Sequence, residues 1–130
     1  MKSAILRTGA ALMLAGAIFL AAGPRAASAV PKVSPEVKAV FKGECKKCHG
    51  WDGKGLTPQG KKVGVKDWTA AAYQKKATDE QILKTITEGF KDPKDPKRKM
   101  EPYKGKLAKE LVLVVRAFAK APGPFPEEVK

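Results

Sequence analysis

The chain has 130 residues, 43% hydrophobic and 30% charged, and its 26 Lys and Arg against 13 Asp and Glu give a formal net charge of +13. A length of this order holds one compact domain and leaves no room for a second with its own core. Two cysteines and a single histidine are too few side chains of the usual kinds for a closed structural zinc site, which takes four ligands.

The first residues read as an export leader. Lys2 and Arg7 precede an apolar run from Ala10 to Ala22, and Ala27-Ser28-Ala29 then supplies the small-residue pattern that a signal peptidase cleaves. The competing reading is a retained anchor, but the uncharged stretch from Thr8 to Pro24 is at the short limit for a spanning helix. Cleavage after Ala29 predicts a signal peptide over 1–29 and one mature domain over 30–130, located in the periplasm. Removing Lys2, Arg7 and Arg25 takes three from the 26 basic residues and no acid, so 23 face 13 and the net charge is +10. In an exported protein that charge favours an acidic protein partner or an anionic membrane surface over nucleic acid.

Ser34-Pro35-Glu36 opens the first predicted helix, with a capping hydroxyl, a proline in the first turn and an acid at the positive end of the dipole. Val37, Val40 and Phe41 give it an apolar face, and it leads into Cys45. Gly50, Gly53, Gly55, Pro58, Gly60 and Gly64 then interrupt any helical period, so Gly50 to Val65 is expected to be a long loop. A short helix follows from about Trp68 to Lys75. A stronger one starts at the capping box Thr78-Asp79-Glu80-Gln81, runs through Ile82, Leu83 and Ile86, and stops at Gly89. Phe90 to Lys106 holds three prolines and seven basic residues and is expected to be an exposed loop. Leu107, Leu111, Val114, Val115 and Phe118 recur at helical spacing, and Pro122, Pro124 and Pro126 end that helix. With no strand pattern, the chain reads as all-α, with three to five helices and long loops. So much loop in so small a domain needs an internal staple.

Cys45-Lys46-Lys47-Cys48-His49 offers three chemistries. Zinc is disfavoured by ligand number and by a histidine directly after a cysteine. A redox dithiol usually sits in a strand and helix arrangement that is not predicted here. C-x-x-C-H is also the attachment pattern for haem: two thiols add across the vinyl groups of one porphyrin while the adjacent imidazole comes up under the iron. His49 is the only histidine, so a haem would take it as proximal ligand. Met1 and Met13 lie in the leader, which leaves Met100 as the only thioether of the mature chain. It stands in a charged loop ahead of Glu101-Pro102-Tyr103, a poor place for a core residue, and binding to iron explains its position.

Taken together, CKKCHGWDGKGLTPQGKKVGVKDWT and KMEPYKGKL resemble class I monohaem cytochromes c of the small bacterial periplasmic type, over about Ser34 to Lys120. The resemblance implies a small cytochrome c fold, its helices and loops wrapped around one covalently attached haem c and its terminal helices crossing. It implies thioethers at Cys45 and Cys48, axial ligands His49 and Met100, and a hydrogen bond from His49 to the Pro58 carbonyl. Tyr73 would approach a propionate, and Ile82, Ile86, Tyr103 and Leu107 would close the pocket. Val37 stands where the family has glycine, opposite Phe118, which implies a wider or shifted crossing. Met100-Glu101-Pro102 replaces the family's Met-Pro.

Iron held by imidazole and thioether has no open position, which suits electron transfer rather than catalysis. Lys42, Lys46, Lys47, Lys97, Arg98 and Lys99 flank the motif and the methionine loop, and are expected to dock an acidic redox partner on a monomeric carrier. The alternatives are an electron-entry subunit of, or small haem enzyme within, a larger periplasmic oxidoreductase, and a pure thiol redox protein.

Overall fold

The computed structural model describes residues 32–129, so the expected leader and its cleavage site lie outside the described residues. Helix α1 (Pro35–Val40) starts as its sequence dictates: the Ser34 hydroxyl accepts from the Val37 amide at 3.3 Å, with Pro35 and Glu36 in the first turn. It runs without interruption into a π-helical turn over Phe41–Cys45 and then α2 (Lys46–His49), which ends at Gly50 with φ of 75°. A π turn adds a residue to the helical repeat. The face that buries Phe41 is thereby turned relative to the face that carries Cys45 and Cys48.

The expected loop from Gly50 to Val65 contains a helix, α3 (Pro58–Val63). Thr57 caps it by accepting from the Gly60 amide at 2.9 Å, Pro58 occupies the first turn, and Gly64 closes it in the left-handed conformation at φ of 65°. Two of the residues read as breakers, Pro58 and Gly64, mark its first turn and its C-cap. Next come α4 (Ala71–Lys76) and α5 (Asp79–Glu88), the latter with the expected capping box between Thr78 and Gln81. The predicted open loop is pinched by a second unforeseen element, an antiparallel pair of β1 (Phe90–Lys91) with β2 (Lys99–Met100), in the register Phe90 to Met100 and Lys91 to Lys99. Two residues per strand are too few to print an alternating pattern on the sequence. Helix α6 (Ala108–Ala117) packs along α5. Counting α1, the π turn and α2 as one rod, five helical bodies among the described residues make an all-α fold.

The core is centred on aromatics. Phe41 is 1% exposed, and its ring lies 5.6 Å from Trp51, 6.4 Å from Trp68, 5.9 Å from Phe118 and 4.6 Å from Phe125. Val37 and Phe118 are both buried, and the Phe41–Phe118 ring contact joins the first helical rod to the end of α6. Phe125, from the proline-rich tail, fills the space beside them, equally buried and 5.1 Å from Trp51. Lys38 fastens this tail by ion pairs of 2.7 Å to Glu127 and to Glu128.

Candidate functional site

The helical repeat brings Cys45 and Cys48, three positions apart, toward one side of the rod, and the following segment holds them there. The Thr57 hydroxyl lies 2.8 Å from the Lys47 carbonyl and 2.9 Å from that of Cys48, and the Gly55 amide donates to the His49 carbonyl at 3.0 Å. Gly60 is required by this packing, because a Cβ there would run into the carbonyl oxygens of Cys48 and Gly55. Backbone on both sides cannot yield as a flexible side chain would. Gly60→Ala is expected to cut the yield of correctly attached cofactor severalfold per unit of chain recovered; equal ratios of cofactor absorbance to protein in variant and parent would refute this.

Met100 comes from the second half of the chain. It ends β2, and its loop is tied back by the Tyr103 amide, which donates to the Ile86 carbonyl at 2.7 Å. Gly89, at φ of 77°, lets the Met100 carbonyl and Pro102 pass closely. The extra residue between Met100 and Pro102 is absorbed within this closure.

Cys45, Cys48, His49 and Met100 all border one cavity of about 290 Å³, together with Ile86 and Tyr103. An adjoining lobe of about 440 Å³ is bordered by His49 and Met100 again, and by Tyr73, Ile82, Thr85 and Arg98. Trp68, Val63, Val65, Ile86 and Val115 wall both lobes. These volumes fall near or within the range of roughly 300–1,000 Å³ that small-molecule and cofactor sites occupy. Leu107 packs against the core instead of a cavity wall.

Burial dominates the electrostatics. The Cys45 thiol is pushed up to about 12, chiefly by burial and further by the charges of Glu44 and Cys48. Cys48 is raised by burial, with Lys47 pulling in the opposite direction. Reactive dithiols need the reverse, a thiolate stabilised by nearby positive charge. Burial lowers His49 to about 4, so at neutral pH its imidazole is uncharged and keeps a lone pair to donate. Two neutral thiols, a neutral imidazole and a thioether around an apolar space form a donor set that fits a covalently held haem. Among the described residues, no three His, Cys, Asp or Glu side chains converge as a metal cluster.

Pro58, Arg98 and Lys46 are placed as follows. Pro58 opens α3, whose own ladder takes its carbonyl, and it lines neither lobe. His49 Nδ1 is accordingly buried with no hydrogen-bond partner, and the imidazole stacks on Trp68 with ring centroids 3.8 Å apart and planes inclined by 13°. Arg98 is turned inward, with its guanidinium 3.0 Å from Asp92 and its Nε 3.4 Å from the Val63 carbonyl. Lys46 lies over Trp51, 5.8 Å from the ring centroid, away from the cavity. Lys47, Lys97 and Lys99 do border the cavity, and Lys99 also pairs with Glu101 at 2.8 Å. Lys42 is exposed on the π turn. Sequence reasoning missed Trp68, whose one available signal was a large apolar residue directly after a glycine-rich segment.

A family model described as cytochrome c matches residues 34–112. Five solved chains match. A structure titled KustC0563 c-type cytochrome is 36% identical, with a TM-score of 0.51 and a match covering 63% of this chain and 95% of that one. A point mutant of that cytochrome is 38% identical, with a TM-score of 0.48 and coverages of 62% and 95%. No curated protein matches.

Proposed function

Because the chain belongs to the cytochrome c family, we propose that it is a periplasmic electron carrier whose haem c is tethered at Cys45 and Cys48, with His49 and Met100 as axial ligands. The observation that carries this reading is the common cavity of about 290 Å³ bordered by all four side chains. When bound, the haem supplies a one-electron ferric/ferrous couple.

The chain's own residues do the rest. Cys45 and Cys48, as thioethers, fix the ring in place and take no part in redox. His49 donates through Nε2, the nitrogen further from its backbone, and stays neutral because burial disfavours its protonation. Met100 adds a second neutral donor, and neutral ligands in a dry site favour the less charged ferrous state. Ile86, Val115 and Trp68 keep water from the walls. With His49 and Met100 both holding the iron, no position would remain for a substrate, so the reading is a carrier and not an enzyme. The test is one spectrum. A sharp low-spin ferrous spectrum with no carbon monoxide binding supports the carrier, ready binding points to an open-site enzyme, and absence of covalent haem leaves the dithiol.

Lys47, Lys97 and Lys99 form the docking set in this reading, since they border the cavity and would steer an acidic redox protein. Changing all three to Glu is expected to slow exchange with such a partner at low ionic strength, on the order of tenfold or more. The deficit should shrink as salt shortens the Debye length to about 8 Å at 0.15 M. Stopped-flow rates equal to those of the parent at low salt would reject the docking face.

A further inference from the structure

We propose that Arg98 is a positioning residue for Met100: it latches the hairpin that carries the methionine onto the opposite wall of the cavity, and so sets how often the thioether leaves the iron. This rests on the reading of Met100 as an axial ligand.

The hairpin of β1 and β2 is locked within itself. Beyond the two strand pairs, the Asp92 amide donates to the Arg98 carbonyl at 2.9 Å and the Arg98 amide to the Asp95 carbonyl at 3.0 Å. Inside the turn, the Asp92 and Asp95 carboxylates accept from the Lys94 and Lys97 amides at 2.9 and 3.0 Å. Aspartates that bond their own backbone two residues on hold a turn in one shape. A segment closed in this way moves as one piece, and Met100, at its end, moves with it.

Two sides tie this piece to the rest of the molecule. At its base, Gly89 packs under the Met100 carbonyl and the Tyr103 amide donates to Ile86 at 2.7 Å. Both contacts join segments next to the hairpin's own ends, so they act as its hinge. Away from the hinge stands Arg98. Its Nε lies 3.4 Å from the Val63 carbonyl and its Nη2 3.5 Å from the Gly64 carbonyl, across sequence gaps of 35 and 34 residues. These carbonyls end α3, where no further helical amide follows to satisfy them. Nη1 is held from the hairpin side by Asp92 at 3.0 Å, a carboxylate only 16% exposed. The fit is close, since a Cβ at Gly64 would stand 3.0 Å from Arg98 Nε. The lobe of about 440 Å³ has Phe90, Asp92 and Met100 on one wall and Val63 and Gly64 on the other. Arg98 joins the two. With the latch closed, a thioether that lets go stays beside the iron and returns.

The test adds free imidazole to the purified ferric holoprotein and follows its uptake by stopped flow. The rate should level off at high imidazole, and the plateau reports the departure of Met100. Arg98→Ala is expected to raise that plateau severalfold. Arg98→Lys should behave like Arg98→Ala, because a single ammonium lacks the planar fork that meets two carbonyls and a carboxylate at once. Asp92→Asn should raise the plateau by less. Lys94→Ala removes an exposed cation of the same hairpin and should leave it unchanged, and Phe125→Leu should lower the urea midpoint without moving it. An unaltered plateau in Arg98→Ala would overturn the proposal, even with a changed potential, which would assign Arg98 to a haem carboxylate instead. Equal acceleration by Lys94→Ala would overturn it too, since charge alone would then be the cause. If Arg98→Ala does not assemble, an unaltered plateau in Asp92→Asn overturns it equally. A parent that binds carbon monoxide in the ferrous state would instead sink the reading of Met100 beneath it.

Discussion

On the proposed ligation, Met100→Ala is expected to free a position on the iron, so that the ferrous protein would bind carbon monoxide where the parent does not and the reduction potential would fall. The direction follows from the ligand. A thioether is a neutral donor that stabilises ferrous iron, and water or a stronger donor in its place favours the ferric state. The size is on the order of 0.1 V, within the roughly 0.8 V over which axial ligands set haem potentials. The fold should survive, because Met100 is only half-buried and its loop is held independently by the Tyr103 to Ile86 hydrogen bond and the Arg98 to Asp92 ion pair. A variant that still excludes carbon monoxide and keeps its potential would show that Met100 is not the ligand.

Phe41→Ala acts on the scaffold. Its ring is 1% exposed and is surrounded by Trp51, Trp68, Phe118 and Phe125. Rings on all sides, anchored in different elements, cannot collapse into the gap, so both the lost burial and the cavity are felt. The expected cost is about 3–5 kcal/mol, as for other buried Phe to Ala changes. Domains of this kind have only about 5–15 kcal/mol of stability in all, so the urea midpoint should fall steeply. Because Phe41 lies at the start of the π turn that ends in Cys45, the same variant should also lose attached haem. A destabilisation below about 1 kcal/mol would mean that the aromatic cluster is looser than its geometry indicates.

What was legible in the sequence depended on how local the information was. The starts of α1 and α5 are written in four consecutive residues each, and both formed where their caps predict. Thr57-Pro58 carries the same signal as Ser34-Pro35, but in a glycine-rich setting the terminal Gly64 reads as a breaker when it is a cap. The four donor side chains stood out because each is scarce in the chain, and folding brings all four to one cavity. The parts that escaped depend on distant contacts. Gln74 meets Val115 and Arg116 across gaps of 41 and 42 residues, and nothing in either neighbourhood announces the other. Arg98 illustrates the converse: within a run of lysines it reads as surface charge, and only the fold reveals the Asp92 carboxylate and Val63 carbonyl that draw it inward.

The Lys38 pairs with Glu127 and Glu128 bring the last described residues alongside the first helix. Lys32, Val33 and Lys38 share a hollow with Pro122 to Glu127, and none of these residues borders the cavity. Both ends of the described residues therefore meet on a part of the surface separate from the cavity lining, and substitutions there, such as at Lys38 or Glu127, should alter stability without touching the site.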